Sequence, residues 1–177
     1  MSHYRVFVPK QAVGANLIYF DVFNPSGSQH DLIVKACQPI VSGAVAVTST
    51  LAVDLHLNRT SAVGTGGTAA TSSGSSLTAM TISPIDNDQT VQTGSISGRL
   101  TPTGGATAAA VIGWASVFTE ETNAGIYTLA PDLARMFNID TPGVLIRPGQ
   151  GFSVVQGAVA SVGNIGFNVI LEMRRKP

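Results

Sequence analysis

Two stretches of this chain alternate apolar and polar residues with a period of two, and that pattern limits what it can fold into. Val45, Val47, Leu51, Val53, Leu55 and Leu57 share one parity, while Thr48, Thr50, Asp54 and His56 take the other. Near the end, Ile165, Phe167, Val169, Leu171 and Met173 alternate with Gly166, Asn168, Ile170 and Glu172. Successive side chains of a strand point to opposite faces, so each stretch predicts a strand buried on one face. Further short strands are expected at 4–8, 17–23, 32–37, 109–118, 144–146 and 152–156, all rich in β-branched or aromatic residues.

Turn chemistry agrees. The run Asn24-Pro25-Ser26-Gly27 suits a type I turn, and Arg147-Pro148-Gly149-Gln150 places Pro and Gly where a type II turn needs them. Residues 144–146 and 152–156 are therefore expected to form a hairpin or a corner. The one helical signal is 131–137, with Pro131 and Asp132 in its first turn, a short connector. Residues 60–78 are dominated by Gly, Ala, Ser and Thr without periodicity, which predicts a long loop or extended arm that orders on contact with a neighbour. The expected fold is all-β: one antiparallel β-sandwich over 1–177, a jelly roll by first choice, with 1–10 as an N-terminal arm.

Composition bears on function. Only 11% of the 177 residues are charged, ten basic against ten acidic, so no field attracts nucleic acid or an anionic membrane. The first residues lack the order of a secretory signal, and no apolar run is long enough to span a bilayer. Cys37, the single cysteine, is expected to pack as a small buried hydrophobe.

A search for chemistry leaves no catalytic, cofactor or metal site. His30 and Asp31 are adjacent and therefore diverge on a strand. His56 and Asp54 share a face, but no further histidine completes a ligand set, so a solvated or interface-facing surface is expected. Asp86-Asn87-Asp88 opens like a calcium loop yet has Val91 and Ser97 where an EF-hand needs Gly and Glu, so it reads as a turn. Gly64-Thr65-Gly66-Gly67 lacks the Lys and helix of a phosphate loop. Glu120-Glu121 reads as a solvated strand end rather than an acid and base pair, and Arg174-Arg175-Lys176 as a solvated terminus. Asn58-Arg59-Thr60 matches the glycosylation pattern, which has meaning only in a secreted eukaryotic protein.

A surface of low charge suits a subunit covered by copies of itself or by a lattice, because few charges need be desolvated. The small all-β chain, its Ala, Gly, Ser and Thr texture, and the ending Gly143-Val144-Leu145-Ile146-Arg147-Pro148-Gly149-Gln150-Gly151-Phe152-Ser153-Val154-Val155-Gln156 followed by 164–173 resemble jelly-roll head decoration, or cement, proteins of tailed bacteriophages. The resemblance implies a trimeric or otherwise multimeric, non-enzymatic virion protein. It would be made in the host cytoplasm and would tie major capsid subunits together on the capsid surface, without nucleic acid, membrane, cofactor or small-molecule substrate. Contacts are expected from Tyr4, Val6 and Val8 on the arm, from Thr65, Ala69 and Ser73 on the 60–78 segment, and from Trp114 or Tyr127 as an anchor. Val111, Ile112, Val117 and Phe118 surround Trp114 in sequence, which favours the core for that residue. Deleting 60–78 is expected to spare the fold and weaken capsid binding. Two other classes remain open: a receptor-binding or fibre-tip module recognising host carbohydrate, and a jelly-roll coat protein that builds the shell itself.

Overall fold

The computed structural model describes residues 2–42, 51–72, 78–85, 96–104, 108–119, 143–161 and 163–175. Within them the chain forms β1 (Ser2–Ala12), β2 (Ile18–Asn24), β3 (His30–Ser42), β4 (Leu51–Thr60), β5 (Thr68–Ala69), β6 (Thr81–Pro84), β7 (Ser97–Leu100), β8 (Ala108–Thr119), β9 (Val144–Ile146), β10 (Gln150–Gln156) and β11 (Asn164–Arg175). The connector helix expected over 131–137 lies outside the described residues.

Two antiparallel sheets pack face to face, in the orders β6-β1-β11-β3-β9 and β5-β7-β2-β10-β4-β8. Without β5 to β7, the orders become β1-β11-β3-β9 and β2-β10-β4-β8, the winding of a jelly roll. The three extra strands are inserted between β4 and β8 and widen both sheets at one side, β6 beside β1 and β7 with β5 beside β2. This is the β-sandwich that the alternating pattern requires: each sheet has one apolar face, and each can bury it only against the other.

Over their described residues both alternating stretches behave as read, with Val45, Val47, Thr48 and Thr50 lying outside the described residues. Val53, Leu55 and Leu57 of β4 and Ile165, Phe167, Val169, Leu171 and Met173 of β11 are all buried. The aromatic centre of the core bridges the sheets, with the Phe167 ring of β11 lying 5.3 Å from Tyr19 and 5.4 Å from Phe20, and Phe20 meeting Phe152 edge-on at 6.0 Å. A bulge explains how two consecutive aromatics enter one core. The register between β2 and β10 slips at Val154 and Val155, leaving Tyr19 as the extra residue, so it and Phe20 are both fully buried.

The turns decide how strands change sheet. At 147–150 the Gln150 N–H donates to the Arg147 carbonyl at 3.0 Å, and Gly149 takes φ of 80°, the type II turn expected there. It joins β9 of one sheet to β10 of the other, so the connection is a corner and not a hairpin. The turn expected at 24–27 falls one residue later, closed by the Ser28 N–H to the Pro25 carbonyl at 2.9 Å. Asn24 is buried instead: its Nδ2 donates to the carbonyls of His30 at 2.9 Å and Ile146 at 3.3 Å, fastening β2 to the corner.

Two expectations for the termini and loops are corrected. The arm expected over 1–10 is not free in its described part, because 2–12 are β1, paired to β11 on one side and to β6 on the other. Tyr4, Val6 and Val8 face the core with at most 2% exposure, so their side chains are unavailable to a neighbour. The described part of 60–78 is not a free arm either. From the end of β4 it must cross β10, β2 and β7 to reach β5 at the sheet edge, and it is bonded along the way. The Gly64 N–H donates to Asp21 Oδ2 at 2.6 Å, the Thr65 N–H to the Gly104 carbonyl at 2.6 Å, and the Thr103 N–H to the Thr65 carbonyl at 3.0 Å. Residues 61–67 are a strap over the outer face of the second sheet.

Candidate functional site

The outer face of the second sheet carries the features that the core does not account for. At its free end lies β8, which pairs only with β4 among the described residues. This strand has the sequence AAAVIGWASVFT, with no charge and no proline. Its twelve residues present about 40 Å of edge, without the lysines or prolines that usually blunt an edge against another chain.

Trp114 is 69% exposed on β8 and Val111 is 62% exposed. The core reading for Trp114 is therefore overturned, and register gives the cause. Leu57 sits opposite Gly113 and Asn58 opposite Val111, so Ile112 is an extra residue that turns inward while Val111 and Trp114 both turn out. The inward positions are filled by Ala115 and Val117. An apolar run on both parities offered no alternation by which to tell the faces apart. Trp114 lies directly across from His56, and beside them Ser116 Oγ donates to Asp54 Oδ1 at 2.5 Å. His56 and Asp54 do share the outward face, as read from the sequence.

Next to this edge lies a row of polar residues in register, Arg99 of β7, Asp21 of β2, Ser153 of β10 and Asn58 of β4, which the strap meets at Asp21 and Arg99. Directly opposed residues share a face. Asp21 is fully buried, Ser153 is 1% exposed and Asn58 7% exposed. Asp21 Oδ1, Ser153 Oγ and Asn58 Oδ1 have no hydrogen-bond partner among the described residues, and neither does Thr60 Oγ1 one row along. Burial pushes the Asp21 carboxyl above the usual carboxylate range, against the opposing pull of the Gly64 N–H, the Arg99 guanidinium and the backbone N–H groups of Arg99 and of Asp21 itself. Gly64 lets the strap press this close, since a Cβ there would lie 2.7 Å from Pro102 Cβ and 2.9 Å from Asp21 Oδ2. Asn58, noted in sequence only as a glycosylation pattern, is too buried to carry a glycan. Asp21 was missed altogether. Its signal is a lone carboxylate inside the apolar run Leu17-Ile18-Tyr19-Phe20-Asp21-Val22-Phe23.

The remaining candidates fall elsewhere. Thr65 and Ala69 are exposed on the strap and on β5. Ala69 lines a cleft of about 510 Å³ with Val63, Ala70, Ile82, Ile96 and Gly98. Ser73, Tyr127, Asp86 to Asp88, Glu120-Glu121 and Lys176 lie outside the described residues. Cys37 is buried in the core, and burial raises its thiol so that the reactive thiolate is not formed at neutral pH. On the first sheet, Glu172 is nearly buried, accepts from Arg174 Nε and lies 3.5 Å from Lys35 Nζ. The Arg174 hydrogen bond is the main reason its carboxyl is held below the ordinary range.

No protein-family model, curated protein or solved structure matches this chain.

Proposed function

We propose that this protein is a non-enzymatic virion structural protein, a capsid decoration protein that associates with copies of itself and with the major capsid subunit. The observation that carries the reading is β8, a twelve-residue strand without charge or proline that stands at the sheet edge among the described residues and turns Trp114 and Val111 outward. A strand edge recruits another strand through main-chain hydrogen bonds, and an exposed tryptophan supplies the apolar anchor found at interface centres. The jelly-roll-like winding and the 11% charge support the same role, since a surface with few charges is covered at little desolvation cost. Trimeric order and the capsid as partner come from the resemblance to cement proteins.

The test is light scattering of the purified chain followed by a copy-number measurement in particles. A multimer incorporated at hundreds of copies supports decoration, and Trp114→Glu should reduce incorporation without altering the far-ultraviolet spectrum. A monomer of 18.2 kDa that is absent from particles sinks the proposal.

A second reading rests on the same tryptophan. Trp114 beside His56 and Asp54 forms an aromatic platform with polar groups at its rim, a surface on which a sugar ring stacks, as a receptor-binding module would require. Glycan binding lost in Trp114→Ala, with assembly unchanged, would favour that reading over decoration.

A further inference from the structure

We propose that Asp21 Oδ1, Ser153 Oγ and Asn58 Oδ1, in the row that the strap of residues 61–67 touches at Asp21, bind a hard cation, calcium. The three side chains stand side by side across β2, β10 and β4, directly opposed in the two registers and on one face. Each is at least nine-tenths buried, and each oxygen lacks a partner among the described residues. A buried carboxylate oxygen and two buried neutral oxygens left in this state together cost far more than one such atom would, because each loses its water without replacement. A cation bound between them satisfies all three at once and neutralises the carboxylate, whose other oxygen already accepts the Gly64 N–H.

The donor set selects the ion. It is made of oxygens alone, with no imidazole or thiolate in the row, which excludes the preference of zinc or copper. Calcium accepts carboxylate, amide and water oxygens in flexible geometry, whereas magnesium demands a near-ideal octahedron and gives up its waters reluctantly. Only one ligand is charged, and Arg99 stands on the far side of Asp21, where its Nη1 donates to the Gly66 carbonyl of the strap. Low ligand charge beside a fixed positive charge gives a weak site, with a dissociation constant on the order of 10⁻⁴ to 10⁻³ M. Because Asp21 also holds the strap at Gly64, an ion shared by Asp21, Ser153 and Asn58 links 61–67 to β2, β10 and β4. This inference does not depend on the decoration reading.

The experiment is thermal unfolding and titration calorimetry of the full chain in chelator, in about 10 mM calcium chloride and in magnesium chloride, with sodium chloride matching the ionic strength. Calcium should raise Tm by a few degrees and bind saturably at one site, with magnesium giving little. Asp21→Asn and Asn58→Ala should each lower calcium affinity by about tenfold or more, and Arg99→Gln should tighten it. If calcium does no more than matched sodium chloride, the proposal is overturned and the three oxygens are served by water. A calcium response that is the same in wild type, Asp21→Asn and Asn58→Ala overturns it equally, placing the ion elsewhere. Asn58→Ala and the wild-type titration decide the matter even if Asp21→Asn does not fold.

Discussion

Asp21 and Glu172 are both buried carboxylates, and their surroundings push them in opposite directions. Asp21 is raised by burial, so the folded chain holds its proton more tightly than the unfolded chain. The stability that proton confers is present below the unfolded carboxylate pKa and is lost as pH rises through the folded one. In chelator, Asp21→Asn should therefore gain stability relative to wild type as pH rises, since the amide has no proton to lose. The gain should shrink in acid, as read by urea denaturation. Glu172 is lowered, first by Arg174, so its contribution is present above the unfolded carboxylate pKa and is lost as pH falls through the folded value. Glu172→Gln should have a lower urea midpoint at pH 7 and converge on wild type in acid. Gly151 supplies a steric test, because a Cβ there would lie 2.5 Å from the Val22 carbonyl oxygen and 2.6 Å from Thr60 Oγ1. Gly151→Ala should cost roughly 1–3 kcal/mol in chemical denaturation, the β2 backbone being unable to yield.

At the level of elements, β8 and β10 contrast two uses of aromatic side chains. Phe152 on β10 is fully buried against Phe20, and Phe152→Ala should lose about 3–5 kcal/mol of stability. Trp114 on β8 is mostly in solvent, so Trp114→Ala should stay within about 0.5 kcal/mol of wild type and act on association instead. Paired denaturation curves and light scattering separate the two effects. The strap is an element in the same sense. Residues 61–67 cover Asp21, and β5 pairs with β7, so deleting 60–78 removes hydrogen bonds and exposes a buried carboxylate. The deletion should lower Tm by several degrees, contrary to the expectation that it would leave the fold untouched. Cys37 on β3 should stay unmodified by a thiol reagent in native buffer and react once the chain is unfolded in denaturant.

For the whole molecule, the sandwich depends on pairings between distant parts of the chain. β11 lies between β1 and β3, so the last described strand holds the first in place. Such non-local topology makes folding slow compared with helical proteins of the same size. Removing 164–175 takes the centre out of the first sheet and should leave no cooperative thermal transition by calorimetry. The corner at 147–150 is fixed at both ends, with Arg59 of β4 donating from Nη1 to the Leu145 carbonyl at 2.7 Å and to Gln150 Oε1 at 2.9 Å. At the opposite end Gln156 performs a similar task, its Oε1 accepting from Tyr19 Oη at 2.6 Å and from the Gly14 N–H at 2.8 Å.

By itself the amino-acid sequence determined the class of the fold, the burial of one parity of β4 and β11, and the type II turn at 147–150. These depend on local geometry: side chains alternate along any strand, and Pro-Gly restricts φ wherever it stands. Only the tertiary structure decided which strands pair, that 2–12 is an inner strand, that 61–67 is docked over a sheet and that 68–69 joins its edge. It also decided that Trp114 faces outward and that Asp21, Ser153 and Asn58 stand in one row. Each of these follows from register between segments far apart in the chain, and a bulge of one residue is enough to reverse the faces beyond it.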